Sequence, residues 1–502
     1  MKSSFSGAWK KAILDEINSL LENNVWEEVF DLKEVKGQPI SCRWIFSVKF
    51  DGENEIAKAR LVARGFQDLN QYEMRDVYAP VINGAVFKWL ISFSIKYFMV
   101  LFVLDVRCAF LYGDIKAPVF MRIPDGVQVE KGCVALRLVK SIYGLKVSSH
   151  NWYVKFTNEL QKIGFKRFVV DQCIFIYEDE VDIIILAFYV DDCVVVSSNM
   201  AKGKSIVENL SRAFKMRIMM NPKMFLGLEL RRLPFGYSMN QMMYIKKLAR
   251  RFGIDESSKL VSTPMENRLR IERTGIVSEY PELRALIGGL LFIARNSRPD
   301  VLFAVNYVSR FMNEGTPQIF HYALRILKYL FSTADYSIVF RAASESSVVA
   351  YVDASFADAR DSACQSTGGY LIFVNGDLVS WNTRKQKRTA TSTTEAEYIA
   401  LNDAVHEVAF IRKLQESICG RKEAAVIFED NTSAMRIAEG TESSLSRFLL
   451  TKEFAIREAV NNGEIEMRKV STVDQLADIL TKALDKASFQ RIRNFLLESN
   501  IN

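Results

Sequence analysis

Two adjacent acids in the middle of an apolar run are the first feature of this chain that suggests chemistry. In DIIILAFYVDDCVVVSS the pair Asp191 and Asp192 interrupts residues that favour buried strands, and YFMVLFVLDV carries an equally apolar stretch into Asp105. Charges are seldom buried there unless paired or bound to metal. The pair is therefore either a polar hairpin turn or part of a site. If the Asp105 strand pairs beside it, three carboxylates meet and repel one another unless a divalent cation neutralises them. Hard oxygen ligands of this kind suit Mg2+. Two such ions clamping the attacking and leaving oxygens would serve in-line phosphoryl transfer, with one of them lowering the pKa of a primer 3′-hydroxyl.

Four more acids occur late in the chain. Asp353 lies on the strand-like VVAYVDASFAD, Glu395 opens the helical STTEAEYIAL, Asp430 ends the strand-like AAVIFEDN, and Asp478 sits in QLADILTK. Singly each has an ordinary reading, since an acid near a helix start complements the helix dipole and Asp-Asn after a strand is a common cap. Leu401, Ala404, Val405, Val408 and Ile411 follow Glu395 at helical spacing and form an apolar face, which is core rather than chemistry.

The elements that would position these acids alternate in type. Residues 8–24 place Trp9, Ile13, Ile17, Leu20 and Leu21 at helical spacing, Arg43–Lys49 alternates like a strand, and Asp51-Gly52 turns into the basic segment AKARLVARGFQ. The two apolar strand segments follow. From about residue 236 to 340 the pattern is mostly helical, and after 347 strands and helices alternate again. At 502 residues the chain is too long for one core, and three segments are expected: 1–235, 236–345 and 346–502. The fold class is a multidomain α/β and α+β protein.

Lys and Arg exceed Asp and Glu by 66 − 59 = 7, a balance that suits a polyanionic partner without establishing one. The seven cysteines include no CxxC pair, which argues against a zinc site or a disulfide framework and for a reducing, intracellular setting. The N-terminal residues lack a signal-peptide core, and the apolar runs are too short to span a bilayer, which needs about 20 apolar residues. No membrane partner is expected.

Taken together, the motifs resemble the reverse transcriptase and RNase H region of copia-type (Ty1/copia) retrotransposon Pol polyproteins. YVDD at Tyr189–Asp192 looks like the reverse-transcriptase signature and DVRCAFLYGD at Asp105–Asp114 resembles the first palm motif. AWKKAILDEINSL, KARLVARGFQ, VFMRIPDG, KSIYGLK, FLGLEL, STPM and SRPDVLFAVNYVSRFM occur in the family order, and GYLIF, SWNTRKQ, TEAEYIAL, EDN and ADILTK look like the family's RNase H segment. The resemblance implies a right-hand polymerase of fingers and palm (1–235), a mostly helical thumb or connection (236–345) and an RNase H-like α/β domain (346–502).

By that resemblance Asp105, Asp191 and Asp192 are catalytic metal ligands in the palm, and Asp353, Glu395, Asp430 and Asp478 are those of the nuclease. Each set would hold two Mg2+, with Mn2+ as a possible substitute. Phe110 would exclude a ribose 2′-hydroxyl, its alternative being a plain core aromatic. Lys58 and Arg60 would contact the incoming triphosphate, and Tyr189 belongs to the same nucleotide-binding set. The implied partners are an RNA template, a DNA primer and product, RNA–DNA hybrid and deoxynucleoside triphosphates. Arg384, Lys385, Lys387 and Arg388 form either a backbone-binding segment or a solvated basic loop. The implied location is cytoplasmic, in a virus-like particle if the chain is part of a complete element, with the nucleus a second option.

Two segments depart from the family pattern. KVSSHNW at Lys146–Trp152 stands where KQAPRAW is usual, placing His150 at the arginine position and putting template or nucleotide positioning in doubt. In SRFLLTKEFAIREAVNNGEI, Phe448 and Phe454 occupy positions that are usually His, so nuclease turnover is expected to suffer more than metal binding. A decayed or domesticated copy that binds nucleic acid without catalysis, and a nuclease alone, are the competing readings.

Overall fold

The structure, a computed structural model, describes residues 6–499 apart from 36, 52–53, 268, 274, 276–279, 343–346, 358–363, 421 and 441–449. It comprises two compact units, Met1–Ile82 with Phe102–Met220, and Asn83–Leu101 with Asn221–Asn502.

In the first unit the basic segment folds as expected into an antiparallel hairpin, Cys42–Asp51 with Asn54–Ala63. Its inner positions Ala59, Leu61 and Ala63 are buried, and Leu61 and Ala63 join Leu20, Ile40, Leu111, Met121 and Leu138 in one apolar core. A six-stranded sheet carries the two acidic runs. Its order is Met216–Met220, Val100–Val106, Asp192–Ser197, Ile183–Tyr189, Ile174–Glu178, Lys166–Arg167. Ile184–Phe188 and Cys193–Ser197 are buried throughout, which is why these strands read as continuous apolar runs instead of alternating. The helix Ser148–Ile163 brings Trp152 and Phe156 against Phe214.

The second unit contains a four-stranded antiparallel sheet, in the order Met224–Phe225, Leu228–Leu233, Gly236–Asn240, Ile338–Phe340. With it come the helices Met242–Arg251, Pro281–Asn296, Leu302–Ser309 and Pro317–Ser332. A buried Arg298 anchors the helices. Its guanidinium pairs with Asp300 at 2.7 Å and donates to the Thr333 carbonyl, while Tyr329 donates its hydroxyl to Asp300. The remaining five-stranded sheet has the order Asp377–Lys385, Thr367–Val374, Val348–Ser355, Ala425–Glu429, Ile465–Lys469. Its first three strands are antiparallel and the last two run parallel to the central one. The helices Thr393–Cys419 and Asp478–Thr481 accompany this sheet.

Packing does not follow the run of the sequence at the helix Gly84–Lys96, which lies in sequence between the two stretches of the first unit yet belongs to the second. Its residues 85–94 are all buried, and Ser92 donates to the Val374 carbonyl at 3.3 Å and accepts from Asn375 at 3.2 Å. Among these buried residues is Lys88, whose ammonium sits 4.4 Å from the centre of the Trp381 ring and makes a long hydrogen bond, 3.4 Å, to the Gly84 carbonyl.

Burial lowers the Lys88 pKa to about 8, with Glu407 acting in the opposite direction. Between about pH 8 and the ordinary lysine value near 10.5 the unfolded chain binds a proton that the folded chain does not. Stability should therefore rise with pH across that window, by on the order of 3 kcal/mol. Lys88→Met should flatten this rise and leave the protein more stable than the parent at pH 7. Denaturant melts from pH 7 to 10.5 check it, and parallel curves for the two proteins would contradict it.

Candidate active sites

The sheet of the first unit joins the three acids by hydrogen bonding. The Val106 N–H donates to the Asp191 carbonyl at 2.8 Å, so Asp105 at the end of its strand lies beside the turn that carries Asp191 and Asp192. All three carboxylates act on the buried Cys193 thiol, whose pKa is pushed well up, first by burial and then by Asp192, Asp191 and Asp105. The turn itself is tight. Tyr189 pairs with Asp192, leaving Val190 and Asp191 as the two loop residues, with Val190 at φ 55°. Two-residue hairpin loops favour positive φ at their first position, but glycine or asparagine normally supplies it. A β-branched residue there stores about 1–3 kcal/mol of strain. The turn is held from outside by Trp152, whose indole N–H donates to the Val190 carbonyl.

The nucleotide-binding residues expected from sequence converge in part. Phe110 meets Tyr143 edge to face at a centroid distance of 4.9 Å, and the Arg60 guanidinium lies 4.9 Å from the same ring. The Tyr143 hydroxyl is raised to about 12, chiefly by burial, with Arg60 lowering it and Asp191 raising it. Tyr143 thus links the hairpin cation, the Phe110 ring and the acidic turn, and sequence reasoning passed over it within KSIYGLK. Lys58 and Arg60 act on the half-buried Glu16, whose pKa burial raises and the Leu61 N–H lowers. Tyr189 is 38% exposed beside the turn.

The divergent segment Lys146–Trp152 is well fitted here. Lys146 donates to the Asp68 carbonyl at 2.9 Å, Ser148 to the Ile142 carbonyl at 2.6 Å, and Asn151 to the Ser141 hydroxyl at 3.0 Å. His150 Nδ1 lies 2.9 Å from the Tyr78 carbonyl.

The second unit brings Asp353, Glu397 and Asp430 together, with one carboxylate oxygen of each within 4.8 Å of the others. Asp353 comes from the central strand and Asp430 follows the parallel neighbour Ala425–Glu429. Glu397 comes from the helix Thr393–Cys419 and accepts a backbone N–H from Ala354. Asp478 opens the short helix Asp478–Thr481; the hydroxyl of Thr481 donates to Asp353 Oδ2, and Lys482 pairs with Asp478 Oδ1 at 2.6 Å and Asp353 Oδ2 at 3.9 Å. Two glycines make room for both helices. A Cβ on Gly368 would lie 2.9 Å from Ala400 Cβ, and one on Gly369 would lie 2.7 Å from Leu480 Cβ.

One expected residue is corrected by this geometry. Glu395 is not in the cluster: its Oε2 accepts from the Thr391 N–H at 2.8 Å and is in hydrogen-bond contact with the Thr391 hydroxyl, so it ties down the residue that precedes the N-cap, Ser392. Two residues along a helix is a rotation of about 200°, which puts Glu397 on the opposite side. The signal was available, because Glu397 lies in register with Leu401, Ala404 and Val408 on the expected buried face. Glu429, also unremarked in the sequence, is fully buried beside Asp430.

The electrostatics of this cluster match a cation site. Burial first, then Glu429, Asp353 and Asp430, push Glu397 up to about 11. Asp353 is raised by burial, Glu429 goes well above its ordinary value for the same reason, and Asp478 rises to about 7. Glu397 Oε2 and Glu429 Oε2 are buried and accept no hydrogen bond from any described residue. Buried carboxylate oxygens without donors are what a divalent ion would satisfy. Phe448 lies outside the described residues, and Phe454, on the helix Leu450–Asn461, is 64% exposed.

Fold and sites together define a multidomain α/β and α+β protein organised round two separate carboxylate centres. Residues 23–267 of this chain match the family model of reverse transcriptase (RNA-dependent DNA polymerase). Its relatives are copia-type Pol polyproteins. The Pol polyprotein from transposon RE1 of Arabidopsis thaliana is 31% identical over 490 residues, 96% of this chain and 33% of the relative. That from transposon TNT 1-94 of Nicotiana tabacum is 29% identical over 96% of this chain and 37% of the relative. The Ty1-DR6 Gag-Pol polyprotein of Saccharomyces cerevisiae is 25% identical over 95% and 28% respectively. The chain therefore spans about a third of the length of these relatives. A foamy viral protease-reverse transcriptase solved with double-stranded DNA has a TM-score of 0.48 and 12% identity, over 93% of this chain and 70% of that one.

Neighbouring glutamates should respond oppositely to mutation. Without metal, Glu397→Gln removes a buried acid from a repelling cluster and should raise stability by about 1–2 kcal/mol. Glu395→Ala removes the hydrogen bonds to Thr391 and should lower it by about 1 kcal/mol. Metal-free melts of both variants decide the matter, and two changes of the same sign would refute the assignment.

Proposed function

We propose that the chain is an RNA- and DNA-directed DNA polymerase joined to a ribonuclease that cleaves the RNA strand of RNA–DNA hybrids. The observation that carries the first half is the hydrogen-bonded juxtaposition of Asp105 with the strained Val190 turn, in a segment that matches the reverse transcriptase family model. In this reading Asp105, Asp191 and Asp192 would hold two Mg2+ ions, or Mn2+ in their place. Bound metal would supply charge neutralisation at the phosphoryl group and a lowered pKa at the attacking hydroxyl.

The chain's own residues do the rest. Trp152 fixes the Val190 turn, so the acids meet the substrate in one arrangement, and preorganisation of this kind avoids a reorganisation cost during reaction. Arg60 and Lys58 offer charge-assisted hydrogen bonds to the triphosphate of a deoxynucleotide. Phe110, held against Tyr143, presents a fixed ring to the sugar, where a 2′-hydroxyl would lose its hydration without a partner.

The nuclease half is supported by the cluster of Asp353, Glu397 and Asp430 with Asp478 beside it, in a sheet with three antiparallel and two parallel strands. These acids would hold divalent metal, while template RNA, primer DNA and hybrid would be engaged mainly through phosphates and 2′-hydroxyls. The basic run Arg384–Arg388 is a candidate for part of that contact.

Two point mutants separate the halves. Asp191→Asn should lower Mg2+-dependent deoxynucleotide incorporation on a primed RNA template by about 10³-fold or more and spare hydrolysis of hybrid. Glu397→Gln should do the reverse. If a folded parent incorporated nothing on any template yet still bound hybrid, the decayed-copy reading would replace this one.

A further inference from the structure

The acid cluster of the second unit has two unlike halves. On one side Asp353, Glu397 and Asp430 bring oxygens within 4.8 Å of one another, and the buried Glu397 Oε2 has no donor among the described residues. On the other side the space between Asp353 and Asp478 already holds a cation of the protein's own. Lys482 Nζ lies 2.6 Å from Asp478 Oδ1 and 3.9 Å from Asp353 Oδ2, and that same Asp353 oxygen accepts the Thr481 hydroxyl. Lys482 is held in place by its backbone, whose N–H donates to the Asp478 carbonyl at 3.2 Å.

We infer that Lys482 is the resident cation of the Asp478 half, so that the resting site takes one divalent ion, on Asp353, Glu397 and Asp430, and not two. The inference rests on the reading of this cluster as a metal site. Its physical basis is competition for the same oxygens. An ammonium at ion-pair distance from Asp478 blocks the approach of a divalent ion, which must come within about 2.0–2.1 Å of its oxygen ligands if it is Mg2+. The ammonium also offsets part of the charge that would attract a second ion, and it costs no ion capture from solvent. A second divalent ion would enter only when Lys482 turns away, as when a substrate phosphate draws it off. Lys482 is thus a positioning residue that governs how many metal ions the site accepts. The ordinary reading, a surface lysine following a short helix, leaves its position against two of the four acids unexplained.

The test is calorimetric and paramagnetic titration of the full chain with Mn2+ alone, in a parent carrying Asp105→Asn and Asp191→Asn so that the first unit's acids contribute little. The Asp353→Asn version of this parent defines the ions that belong to the second unit. The expected result is about one Mn2+ lost on Asp353→Asn, about two such ions in Lys482→Met, and again about one in Lys482→Arg, which keeps the charge. Two ions in the parent would overturn the inference without any Lys482 variant, and so would a single ion in a folded Lys482→Met protein. If Asp353→Asn titrates like the parent, the metal reading of the cluster fails, and the role of Lys482 falls with it. These outcomes are distinct from any result on incorporation, because no nucleic acid is present.

Discussion

Like charges brought together out of water are the constraint round which both units are organised. Two carboxylates about 4 Å apart repel by roughly 4 kcal/mol at the effective dielectric of a protein near its surface, and burial adds a desolvation cost for each. The first unit limits that cost by placing Asp105, Asp191 and Asp192 at strand ends and in a turn, where they are only half-buried. The second unit accepts it. Asp353, Glu397 and Asp478 are 3, 7 and 8% exposed, and Glu429 is wholly buried beside them. Such a group is tolerated because protons, Lys482 and the Thr481 hydroxyl offset the charge, and because the fold around it leaves little freedom to relax.

That rigidity has identifiable sources. In the second unit, glycine at 368 and 369 lets Ala400 and Leu480 come so close that an added Cβ would have to displace a helix. Both acid-bearing helices are thereby seated against the sheet that carries Asp353. In the first unit, strain at Val190 is held by the Trp152 indole and by the strand pairing on either side of the turn. Backbone strain of this size persists only where the surroundings over-determine it, and such places concentrate at functional sites.

The divergent segment Lys146–Trp152 illustrates how substitution and architecture interact. The usual proline and arginine are absent, yet Lys146, Ser148, Asn151 and Trp152 all find hydrogen-bond partners and the residue that braces the acidic turn is kept. The change alters which side chains are presented around His150 more than it alters the scaffold.

Much of the site was legible from the chain alone. Asp105, Asp191 and Asp192 were recognisable because acids in apolar strand runs conflict with local propensity, and that conflict survives without any knowledge of the fold. Asp353, Asp430 and Asp478 could be singled out by order and element type. What sequence left open was decided by direction in space. Glu395 and Glu397 belong to one helix start and differ by little in local signal, but a rotation of about 200° turns one to Thr391 and the other to the cluster. Tyr143 and Lys482 matter through contacts with residues distant in sequence or across a helix end, which no period reveals. The helix Gly84–Lys96 lies among the first unit's residues in sequence and packs in the second, because its buried surface required a partner that only the folded chain supplies. The sequence by itself therefore determined which residues could do chemistry, since residue type and burial propensity are local properties. The tertiary structure alone decided which of them face one another, since charge interaction depends on distances that chain position does not record.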